Sequence, residues 1–72
     1  MNKVQVLREL PYAPTKDRIL RMYSYESSNY VIKQVNTLLK ADGDSVYRKK
    51  INHLQFRELI EILGVPRGYK PF

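Results

Sequence analysis

Apolar residues recur at helical spacing in several stretches of this chain, with turn-forming residues between them. In residues 27–51, SSNYVIKQVNTLLKADGDSVYRKKI, Val31, Val35, Leu38 and Leu39 follow the i, i+4, i+7, i+8 spacing of a buried helical stripe. Asn29, Lys33, Asn36 and Lys40 fall on another face, which is polar and cationic. Asp42, Gly43 and Asp44 stop this helix, because Gly43 accepts the left-handed backbone of a helix end and aspartates favour turns. Residues 46–51 then read as an extended arm carrying Arg48, Lys49 and Lys50.

Upstream, Val4, Leu7 and Leu10 keep a helical period and predict a short helix over residues 3–10, although Val4 and Val6 also alternate as in a strand. Pro11 and Pro14 force a connection. Thr15 can cap a helix over residues 16–23, with Asp17 in its positive first turn and Ile19, Leu20, Met22 and Tyr23 on its buried side. Residues 24–29 compete with helical backbone bonds, so a turn is expected there, and Ser27 or Ser28 would cap the next helix; the alternative is one helix across 16–40. The strongest local signal is at residues 52–64. Asn52 and Gln55 have capping-box spacing, Ile51 and Phe56 match a hydrophobic staple, and Gly64 with Pro66 ends the helix. Phe56, Leu59, Ile60 and Leu63 would join Val31, Val35, Leu38 and Leu39 in the core. The expected fold is mostly α: a single domain over residues 1–66 with three to four short helices, at most a minor β wing at 46–51, and a tail over 67–72.

Charge adds a preference in partners to this picture. The 72 residues carry 13 Lys and Arg against 7 Asp and Glu, a net charge of +6, which attracts nucleic acid, an anionic membrane surface or an acidic protein. A chain of this length hides only about 60% of its unfolded surface, so there is no room for two lobes around a cleft. With no Cys and a single His, neither a disulfide nor a zinc site of the usual His and Cys type is expected, and no cofactor is implied. The apolar run in MNKVQVLREL is short and broken by Gln5, Arg8 and Glu9, so the expectation is a soluble cytoplasmic protein with no membrane partner. His53 lacks a partner nucleophile, Glu58 and Glu61 are accounted for by solvation or by pairing with Arg57, and no phosphate loop or nucleophile elbow occurs. An enzyme acting on a small-molecule substrate is therefore not expected.

The order of helix, helix, turn, helix, glycine turn, basic arm and helix over residues 16–63 resembles winged helix-turn-helix DNA-binding domains. SSNYVIKQVNTLLKADG stands where their recognition helix and its stop would be, and SVYRKKI where one side of a wing would be. Small excisionase-like regulators, which end in a basic strand and a short helix, are the nearest kin this suggests. The turn before Ser27 lacks the glycine often found in such motifs, and few residues remain for a second wing strand. The resemblance implies a transcriptional or recombination regulator. Ser28, Asn29, Lys33, Gln34 and Thr37 would contact a DNA groove, since Asn and Gln can bond adenine in bidentate fashion and Lys can reach guanine. The same residues would also suit an ordinary solvated helix face.

Arg48, Lys49 and Lys50, read as a run with no nearby acid, favour phosphate contact over the alternative of a charged edge that resists strand pairing. DNA is the first expected partner and RNA the alternative, because six tyrosines, among them Tyr23, Tyr25, Tyr30 and Tyr47, invite base stacking as well as ordinary ring burial. A reading from another class makes the chain a small adaptor or inhibitor that binds an acidic protein surface. Tyr69 and Phe72 of the tail RGYKPF would then be its anchors, unless they pack back on the domain.

Overall fold

A computed structural model describes residues 6–72, in which three helices follow one another: α1 (Lys16–Met22), α2 (Ser28–Ala41) and α3 (His53–Leu63). Thr15 begins α1, its hydroxyl accepting the Arg18 amide at 3.2 Å. Residues 23–27 turn, so the stretch 16–40 is two helices rather than one. Ser27 occupies the N-cap of α2 but makes no side-chain capping bond, contrary to expectation, and the helix opens there on backbone geometry alone. Its other end closes as a Schellman turn: the Gly43 amide donates to the Lys40 carbonyl at 3.0 Å and the Asp44 amide to that of Leu39 at 2.8 Å. Gly43 takes a φ of 75° to do so. The capping box of α3 forms in full, the Gln55 amide reaching Asn52 Oδ1 at 2.8 Å and the Asn52 amide reaching Gln55 Oε1 at 2.9 Å.

α2 is the centre of the molecule, and α1 and α3 each pack on it rather than on one another. Val31, Val35, Leu38 and Leu39 from α2 meet Ile19, Met22 and Tyr23 on one side and Ile51, Phe56 and Leu59 on the other, while Ile60 and Leu63 border this core half-buried. The ends of the outer helices are also joined through the Tyr23 hydroxyl, which donates to the Gly64 carbonyl at 2.6 Å. Burial pushes the pKa of that hydroxyl up, and the neighbouring Tyr25 adds to the shift.

Two expectations need correction. The helix expected over residues 3–10 does not form where it is described. Residues 3–5 lie outside the described part of the chain, and 6–10 are extended, with the Arg8 amide donating to the Gly68 carbonyl and the Arg8 carbonyl accepting from Lys70, both at 2.9 Å. So short a helix ahead of a proline is marginal by itself, and pairing with 68–70 satisfies its backbone instead. The arm over 46–51 is not one extended run either. The Tyr47 amide bonds Ser45 Oγ and the Arg48 amide bonds the Ser45 carbonyl, so a turn comes first. Residues 49–51 then lie antiparallel to 14–16 through Lys16 N–H to the Lys49 carbonyl (2.8 Å) and Ile51 N–H to that of Pro14 (3.3 Å). Among the described residues β pairing is confined to two isolated bridges, Thr15 with Lys50 and Arg8 with Tyr69.

Candidate nucleic-acid interface

The outward face of α2 follows from its inward one. At about 100° per residue, Asn29, Lys33, Thr37 and Lys40 fall in one stripe opposite Val31, Val35, Leu38 and Leu39. All four are exposed, and no acid occurs within the helix. The same arithmetic sets Ser28 and Gln34 apart. Gln34 lies on a flank of the stripe, half-buried, whereas Ser28 falls in line with Val35 on the inward side and is exposed only because it opens the helix. The Thr37 hydroxyl donates to the Lys33 carbonyl at 2.8 Å, so its proton is spent within the helix and only its oxygen lone pairs face outward.

Lys16 sets the position of the basic arm. From the first turn of α1 its ammonium donates to Asn36 Oδ1 at 3.0 Å and to the Val46 carbonyl, so the turn at 45–48 is held beside the edge of the α2 stripe. The side chain of Lys16 is thereby consumed in structure. A second clamp comes from Gln55, 1% exposed, whose Nε2 donates to Asp42 Oδ2 at 2.9 Å and Asp44 Oδ2 at 2.8 Å. The cap of α3 thus grips the end of α2, and the backbone of the arm is fixed at both ends.

The cation run is not free of acid. Arg48 forms an ion pair with Asp44 at 3.3 Å, four residues earlier, while Lys49 and Lys50 are exposed and have no ion pair among the described residues. An exposed pair of this kind contributes about 0–1 kcal/mol, so Arg48 is oriented by it more than neutralised. No family model, curated protein or solved structure matches this chain.

Arg48 and Lys49 line a depression of about 340 Å3 together with Tyr47 and Arg21, the last of which the sequence reading left out. Arg21 sits on α1, remote in sequence from the arm, and the Lys16 side-chain bond together with the pairing of 14–16 with 49–51 brings the two together.

The tail packs back on the domain. Tyr69 is half-buried against the core, and the Phe72 ring stands edge-on to Phe56 at 5.9 Å and to His53 at 5.0 Å. His53 in turn stacks on Tyr12 at 4.0 Å, its Nδ1 2.9 Å from the Tyr12 carbonyl, which requires the proton on that nitrogen. Of the tyrosines offered for stacking, Tyr23 is buried, Tyr25 lies under the Arg67 guanidinium, Tyr30 is exposed at the start of α2, and Tyr47 is 89% exposed. No described helix is long and apolar enough to cross a membrane.

Proposed function

We propose that this protein binds DNA as a small regulator, the α2 stripe facing a groove and the arm contacting the adjacent phosphates. The observation that carries the reading is the Lys16 clamp. It ties the turn at 45–48, and with it the paired segment that carries Lys49 and Lys50, to the edge of the helix face of Asn29, Lys33, Thr37 and Lys40, which supports a surface combining groups suited to base edges with groups suited to phosphates. The reading follows the resemblance to winged helix-turn-helix regulators, with a short turn in place of a two-stranded wing. Gln34 would touch only the rim of such a groove, and Ser28 would face away from it. Gel-shift titration at low salt tests the reading. Lys49→Gln with Lys50→Gln should weaken binding to all duplexes alike, whereas Asn29→Ala and Lys33→Ala should relax discrimination between them by about 1–3 kcal/mol per lost base contact. A protein that shifts no duplex at low salt sinks the proposal.

A second reading, a protein adaptor, is supported by apolar side chains left exposed on and near α3, Leu54 at 68%, Ile62 at 48% and Phe72 at 58%. Tyr69 is too engaged with the core to be a free anchor, which leaves Phe72 from the tail. A partner retained after nuclease treatment and released by Leu54→Glu with Ile62→Glu would support the adaptor. Retention by that variant would remove this surface from consideration.

A further inference from the structure

Beyond the face just described, four arginines from three separate segments meet on the other side of α1. Arg8 from the N-terminal segment, Arg18 and Arg21 from α1 and Arg67 from the C-terminal turn line two adjoining depressions of about 360 Å3 each, with Met22 and Tyr69 shared between them. Among the described residues no carboxylate lines either depression, and none of these arginines makes an ion pair. Their backbones are held in place. Arg8 is bonded on both sides to residues 68–70, Arg18 and Arg21 are within one helix, and the Arg67 guanidinium lies 4.3 Å over the Tyr25 ring.

Clustered guanidinium groups without acids repel one another, so the arrangement favours an anionic ligand. Arg is the side chain whose planar fork matches phosphate oxygens in pairs. Arg21 also lines the third depression, beside Lys49, Arg48 and Tyr47, so cations run from Arg67 through Arg8, Arg18 and Arg21 to the arm, with Asp17 the one carboxylate lining that last depression. A tract of successive cations suits a chain of regularly spaced phosphates better than a single anion. At its far end the exposed Tyr47 ring offers a stacking face that only an unpaired base can use.

We infer that this arginine-lined groove binds an unpaired nucleic-acid strand, phosphates on Arg8, Arg18 and Arg21 and a base on Tyr47. The groove runs along α1, away from the α2 face proposed for a duplex, and meets that surface only at the arm. An acidic or phosphorylated peptide would use the guanidinium groups but gain nothing from Tyr47.

Fluorescence anisotropy with a labelled single strand, its duplex and a phosphoserine peptide tests this. The variants are Arg18→Gln with Arg21→Gln, Arg8→Gln, Tyr47→Ala, and Arg57→Gln on the exposed side of α3 as control, each checked for parental thermal unfolding. The double variant should weaken single-strand binding about tenfold or more at low salt and flatten the salt slope by about 1.4, the loss of two phosphate contacts. Arg8→Gln should flatten it by about half as much. Tyr47→Ala should cost the single strand about fivefold or more and leave the duplex unchanged. Single-strand affinity unaltered in the double variant overturns the inference, as does an equal loss for duplex and single strand. Groove-dependent binding of the phosphopeptide with no single-strand binding overturns it in favour of a protein ligand. The α2 reading stands or falls on the wild-type duplex, so the two fail separately.

Discussion

Gln55 shows how much one buried polar side chain can organise. Its amide nitrogen is divided between Asp42 and Asp44 while its oxygen caps α3, so every polar atom of the side chain is used. Replacing it by Ala should cost about 1–3 kcal/mol by urea denaturation, the usual penalty for stranding buried partners. Gln55→Glu should cost more, about 3–5 kcal/mol, because a third carboxylate is driven against two. Equal stability of the two variants would mean that the aspartates swing away to solvent. Tyr23 makes a prediction in pH. Its hydroxyl is held neutral by burial and donates to the Gly64 carbonyl, so its folded pKa lies above the unfolded value of about 10. Its contribution is fully present below pH 10 and is lost as pH rises beyond that. Tyr23→Phe should lose about 1 kcal/mol at pH 7 yet fall less steeply than the parent between pH 10 and 11. Parallel curves for parent and variant would exclude that titration as a source of alkaline lability.

Among the elements, what could be read from sequence was what is local. The Asn52–Gln55 box, the Thr15 cap and the Gly43 stop depend on residues within five positions of each other, and all three form as their spacing implies. Asn52→Ala should therefore cost about 1 kcal/mol in thermal or urea unfolding. Gly64→Ala should cost about 1–3 kcal/mol, since a φ of 82° with ψ of 165° suits glycine alone. Either variant matching the parent would show that the end of α3 is not defined by its caps. Long-range partners were not legible. Nothing in the period of residues 3–10 reveals that Arg8 pairs with 68–70, and nothing near Lys16 reveals Asn36 or Val46. The arm looks extended in sequence because Val46 and Tyr47 favour β structure, whereas Ser45 forms a local turn and Asp44 reaches Arg48. The arginine groove was hidden for the same reason as the Lys16 clamp, since its members come from three segments.

At the scale of the whole molecule, a central helix flanked on both sides makes stability and surface two aspects of one element. Leu39, fully buried on α2, should cost about 2–5 kcal/mol when cut to Ala. On the opposite side of the same helix, Lys33→Ala should change stability by less than about 0.5 kcal/mol. The cationic surface divides into the α2 stripe, the arm and the arginine groove, and the excess of positive charge makes polyanion binding the central claim. Salt dependence tests that claim most directly. Affinity for a labelled oligonucleotide, measured from about 50 to 200 mM salt, should fall linearly on a log–log plot with a slope between about −2 and −5, as expected for a few phosphates neutralised. A slope near zero, or no binding at the lowest salt, would contradict it.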